Sequence, residues 1–139
     1  IKFPDEYKVG ELHVHGDDTY YHSDKSGGKG KNDIWMIKRK TDKNWEEPVN
    51  IKVINTSENE AMPFLTANGN ELWFNRTYKG TPAIFRSKKI NGKWQKPKLI
   101  MSQFAGEPTL DNKGNIYFVH HYFKNGKMIE ADIYVAYKK

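Results

Sequence analysis

Two stretches decide the fold, "TDKNWEEPVNI" (Thr41–Ile51) and "INGKWQKPKLI" (Ile90–Ile100). Each sets a Trp three residues ahead of a Pro, inside a polar turn that leads into a short apolar stretch. Trp45 and Trp94 stand 49 residues apart, and so do Pro48 and Pro97. One phrase written twice at one spacing marks an internal repeat with a period near fifty residues.

Outward from these stretches, no segment keeps the i, i+3, i+4 rhythm of a helix. Short aromatic and β-branched runs recur instead: "TYYHS", "DIWMIKR", "ELWFNR", "AIFRSKK", "NIYFVHH" and "DIYVAYK". Each is bounded by Gly, Asn, Asp or Pro, which predicts many short antiparallel strands. "ANGNE", "INGKW", "DNKGN" and "KNGKM" supply the hairpin turns. The chain is read as all-β.

Aligned, "ENEAMPFLTANGNELWFNR" (Glu58–Arg76) matches "AGEPTLDNKGNIYFVH" (Ala105–His120), and "GELHVHGDDTYYHS" (Gly10–Ser23) is a third copy without the Pro. A third strand follows each, at Ile34-Trp35, Ile84-Phe85 and Ile133-Tyr134. The reading is about three four-stranded antiparallel units, near 1–50, 51–100 and 101–139, which is β-propeller arithmetic. A blade cannot bury both faces alone and must stack on its neighbours. The repeated Trp then covers a seam between blades, and the Pro suits an edge strand.

Composition bounds the rest. The 139 residues carry a formal charge of +6 from lysines spread through the turns, whereas a nucleic-acid reader gathers its cations into a tract. No nucleic-acid partner is expected; an anionic glycan stays open. Cysteine is absent, which removes disulfides and Cys-based zinc sites. Apolar runs of a few residues predict no membrane span. The opening "IKFPDEYKVG" has neither a start Met nor a signal-peptide pattern, and reads as a mature form or an excised segment.

The repeat resembles the TolB-type, WD-related β-propeller family. The family phrase is matched by Ile54-Asn55-Thr56, Glu60 with Pro63, Asn68-Gly69, Leu72-Trp73-Phe74, Ile84-Phe85 and Trp94 with Pro97. It returns in Glu107-Pro108, Asn112-Lys113-Gly114, Ile116-Tyr117-Phe118 and Asp132-Ile133-Tyr134. The resemblance implies an exported setting, periplasmic or extracellular, and partners among envelope proteins. It departs in having three units where such propellers close with six or seven, and in a third unit that lacks its W-x-x-P strand. "IKFPDEYKV" stands where a preceding outer strand belongs. Two readings follow: one half of a larger propeller, its missing blades elsewhere in a longer chain, or a homodimer closing a six-bladed ring by symmetry.

Chemistry-bearing residues are sparse. His13 and His15 lie at i and i+2, on one side of an innermost strand, with Glu11, Asp17 or Asp18 nearby. They are the only candidates for a metal, and some propeller lyases acting on acidic sugars use a His-bound metal. Hydrogen-bonded histidines at a seam are the plainer reading. His120 aligns with Arg76 and Ser23 after the aromatic strand of each unit, where the three could line one binding rim. Glu11, Glu60 and Glu107 are read as matching positions that offer three carboxylates to a channel mouth. Because a recurrent Glu obeys the repeat, it is expected to serve the scaffold, as are Asp33 and Asp132. Asn55 and Asn75 open glycosylation sequons. "SGGKGKND" lacks the spacing of a phosphate loop and reads as a long flexible hairpin tip.

No catalytic set and no cofactor fingerprint emerges. The chain is therefore expected to be a non-catalytic binding module for protein or glycan, with Glu11, His13, His15, Arg76 and His120 as candidate ligand contacts. The alternative is a carbohydrate-active enzyme, a hydrolase or a metal-dependent lyase on acidic oligosaccharides.

Overall fold

The computed structural model describes residues 8–102 and 104–139. The outer strand expected of Ile1–Val9 lies outside them except for Lys8 and Val9, and Val9 opens the first strand described. The described chain is all-β and forms three antiparallel sheets. Sheet 1 runs β1 (Val9–His15), β2 (Asp18–Ser23), β3 (Asp33–Lys38) and β4 (Val49–Asn50) in order. Sheet 2 runs β5 (Glu60–Leu65), β6 (Glu71–Tyr78), β7 (Thr81–Ile90) and β8 (Lys93–Trp94), with β9 (Lys98–Met101) also paired to β7. Sheet 3 is β10 (Ala105–Leu110), β11 (Ile116–Lys124) and β12 (Lys127–Ala136). Strand numbers of four, five and three replace the expected four per unit, because the W-x-x-P phrase makes two short strands in sheet 2 and is missing from sheet 3. No helix of the described residues is long and apolar enough to cross a membrane.

Pairing puts the repeat in register. Ile34 faces His22, Ile84 faces Asn75 and Ile133 faces Val119, each on the middle strand of its sheet. Alternation sends Tyr20 with Ile34, and Trp73 with Ile84, to one face, and Leu72, Phe74 and Phe85 to the other. One face of sheet 1 meets the opposite face of sheet 2 in a cluster of Tyr20, Ile34, Leu72, Phe74 and Phe85. Sheet 2 repeats the arrangement against sheet 3, with Trp73 and Ile84 packed on Ile116, Phe118 and Ala105. Sheet 2 is thus buried on both faces, so its strands read as near-continuous apolar runs.

Polar residues fix the links. Asn55 imitates a strand: its Oδ1 accepts from Ile34 N at 2.7 Å and its Nδ2 donates to Ile34 O at 2.8 Å. Trp94 reaches back to sheet 1, its ring edge-on to Tyr20 at 6.3 Å. Trp45 packs instead on Tyr21, Trp35 and Ile37 and caps its own sheet. The segment Ser26–Asp33, expected as a flexible tip, is pinned. The Asp33 carboxylate accepts from Lys29 N, Gly30 N and Asn50 Nδ2 at 2.6, 3.0 and 2.7 Å. Gly30 lies so close to the Thr56 and Glu58 carbonyls that a Cβ would collide with them, so the glycine serves packing rather than mobility.

Candidate functional site

The innermost strands share one irregularity. Register shifts between Gly10 and His13, between Ala61 and Phe64, and between Gly106 and Thr109. At each, two residues oppose one on the middle strand, which is a β-bulge. The first bulged residue is never Gly, yet φ is +47° at Glu11, +54° at Met62 and +55° at Glu107. A side chain held there costs about 1–2 kcal/mol, so three repeats of it mark a position that the fold has to enforce. Pro63 and Pro108 follow; lacking an N–H, they tolerate a break in the ladder that would orphan another residue.

Side chains from the preceding sheet enforce the bulges. Met62 N donates to His22 Nδ1 at 3.3 Å, and Glu107 N donates to Asn75 Oδ1 at 2.7 Å. His22 and Asn75 hold matching places, opposite Gly10 and Ala61. Gly106 leaves room for the Asn75 amide, which a Cβ would strike. Burial lowers the His22 pKa against a smaller opposing pull from Glu11, which favours the neutral ring that Nδ1 needs in order to accept. Both links run between sheets, so the inner strands are held as a set.

Three tripeptides, Glu11–His13, Met62–Phe64 and Glu107–Thr109, line one hollow of about 270 Å³ where the bulges meet. Among the described residues its charged groups are the two carboxylates, and no Lys or Arg lines it. A second hollow of about 580 Å³ adjoins it through His13 and Phe64 and carries His15, Asp111, Lys113 and Lys138.

The sequence candidates divide at this point. Glu11, His13 and His15 are brought together beside β5. The His13 ring lies 4.8 Å from that of Phe64, and burial lowers its pKa, opposed by a hydrogen bond from the ring to the Leu65 backbone and joined by a smaller push from His15. His15 Nε2 stands 3.0 Å from Ala67 O. Both imidazoles bridge sheets 1 and 2. Among the described residues no group of three or more His, Cys, Asp or Glu could hold a metal ion.

Arg76 and His120 line neither hollow. They do share a register place with Ser23, opposite Glu60, Ala105 and Val9, but each is used differently. Arg76 Nε bonds Glu60 at 2.9 Å and Nη2 donates to Ile54 O at 2.5 Å. The His120 ring packs on Tyr122 at 4.6 Å and Tyr134 at 5.8 Å, and Ser23 Oγ donates to Lys8 O at 2.6 Å.

The reading of Glu11, Glu60 and Glu107 as a matching trio is corrected. By register Glu107 matches Glu11 and Met62, whereas Glu60 matches Val9 and Ala105. Glu60 is wholly buried, so two carboxylates rather than three reach the mouth. The sequons are spent as well, with Asn55 buried and Asn75 committed to Glu107. Sequence reasoning missed Met62 and Thr109. The signal was Pro63 and Pro108, which fix the alignment better than the glutamates do.

Set against known protein families and against curated proteins, the chain matches none of them. The site therefore has to be read from its own chemistry. It offers two carboxylates, strained peptide groups and an apolar floor.

Proposed function

We propose that the chain is a β-propeller segment serving as a non-catalytic binding module, and that its ligand is a protein presenting a basic side chain to the hollow between the bulges. The observation that carries this is the pair Glu11 and Glu107 on strained, repeated backbone at one hollow that no Lys or Arg of the described residues lines. Backbone strain concentrates where a site must be preorganised, and an acidic lip on a protein of net charge +6 selects cations locally. The propeller reading is supported by three sheets in one register, each later sheet laid on the face of the one before. A glycan would find little to stack on, because Phe64, the one Phe, Tyr or Trp lining it among the described residues, is met by the His13 ring.

The test is selection of short peptides from a random display library at neutral pH and about 0.15 M salt, where exposed charges are screened beyond about 8 Å. Selected peptides are expected to carry Lys or Arg and to lose at least tenfold in affinity against a Glu11→Gln/Glu107→Gln double variant. Peptides without a basic residue, or equal binding to the variant, would contradict the proposal. Turnover of an acidic oligosaccharide would favour the enzyme alternative.

A further inference from the structure

The outward face of sheet 3 breaks the pattern of the other two. Ile34, Ile84 and Ile133 share one register place, yet they are 0%, 0% and 80% exposed. The next sheet covers the first two, and no further sheet of the described residues covers the third. Pairing sends Tyr117, Val119, His121, Phe123, Met128, Ala131, Ile133 and Val135 to this same face, and not one of the eight is Asp, Glu, Lys or Arg. The opposite face carries Glu130 and Asp132. A face without charge on an open sheet, in a chain that is 29% charged, is built to be covered.

We propose that it is covered by the same face of a second copy of this chain, across a two-fold axis. Two observations select that occupant. A two-fold contact sets a surface against itself, so it needs a surface without self-repulsion; this face is neutral although the chain carries +6. The head-to-tail alternative, in which sheet 3 receives sheet 1 of another copy and closes a ring, meets a face whose centre is already covered, with Val14 exposed at its edge strand. Tyr21, Trp35 and Ile37 of that face are buried, with Trp45 and Val9 packed on them. The open face offers on the order of 500 Å² per copy, so a pair would bury about 1,000 Å², the lower bound of a specific interface. The inference stands on sheet 3 alone and is independent of the hollow between the bulges.

The experiment is native mass of the full chain across micromolar to high-micromolar concentrations, for wild type, Ile133→Lys, Met128→Lys and Val14→Lys. Val14 is an exposed apolar residue on β1 and serves as the control. A concentration-dependent dimer is expected for wild type and Val14→Lys. The two sheet 3 variants should dissociate about a hundredfold more readily, since each dimer buries the substituted site twice. Circular dichroism must show unchanged sheet content; a variant that loses it is replaced by the milder Ile133→Ser. A wild-type chain that stays monomeric overturns the proposal, and so does a dimer that survives Ile133→Lys or that Val14→Lys breaks equally. A mass of three or more copies points to head-to-tail association and also overturns it.

Discussion

Replacing Arg76 by Met isolates the one buried ion pair among the described residues, in the core of sheet 2. Glu60 is 0% exposed; it is bonded by Arg76 Nε at 2.9 Å and by the Thr56 hydroxyl at 2.5 Å. The guanidinium also lies 4.4 Å over the Phe85 ring and donates to Ile54 O. Removing it keeps most of the volume but strands a carboxylate and a carbonyl, which costs about 3–5 kcal/mol. For 139 residues, an unfolding entropy of about 2.1 cal/mol/K per residue gives about 0.29 kcal/mol/K, so Tm should fall by about 10–17 °C. The loss also depends on pH. Burial raises the Glu60 pKa, while Thr56 and Arg76 pull it down by less. The folded state therefore holds this proton more tightly than the unfolded chain does. The contribution is full below the unfolded value and is lost as pH rises through the folded one. Without Arg76 that window widens upward, so the deficit should be larger at pH 8 than at pH 5. Thermal melts at both pH values measure it, with Glu60→Met/Arg76→Met expected to recover most of the loss. A single variant melting within about 2 °C of wild type, or a double variant no better than the single, would refute the reasoning, because about 2 °C is under 1 kcal/mol here.

Asn75→Ala removes the acceptor for Glu107 N and should cost about 1–3 kcal/mol in urea unfolding, whereas Asn68→Ala, in an exposed hairpin, should cost less. Acidification should weaken the fold through His22 and His13. Burial lowers both pKa values, so their contribution is complete above the ordinary His value and is lost as pH falls from there through the folded values. His22→Gln should flatten the dependence of Tm on pH between 7 and 5; an unchanged slope would count against the His22–Met62 link.

The fold class was legible because the repeat is a packing constraint. Ile34, Ile84 and Ile133, spaced 50 and 49 residues apart, fall at one register place, and the first two are buried against the next sheet. The run "DIWMIKR" becomes β3, which ends at Lys38, and "ELWFNR" opens β6, which continues to Tyr78. The site was legible only in part. His13 and His15 follow from strand alternation, which is local. The bulges do not, because alternation alone does not show where an extra residue enters; Glu60 stands three residues before Pro63 and Glu107 directly before Pro108, so the two part in space. The role of Arg76 depends on a carboxylate sixteen positions away across a strand pair. Strand alternation alone does not disclose such a pairing.

The coupling of each sheet to the next through the bulged peptide is tested most directly by amide hydrogen exchange at Met62 and Glu107. Both N–H groups sit outside the regular ladder yet donate to side chains of the preceding sheet, at 3.3 and 2.7 Å. Both are predicted to exchange as slowly as the strand amides around them, with Asn75→Ala releasing Glu107 and leaving Met62 protected. Exchange of both at the rate of hairpin-tip amides would contradict the stacking of the three sheets in this register.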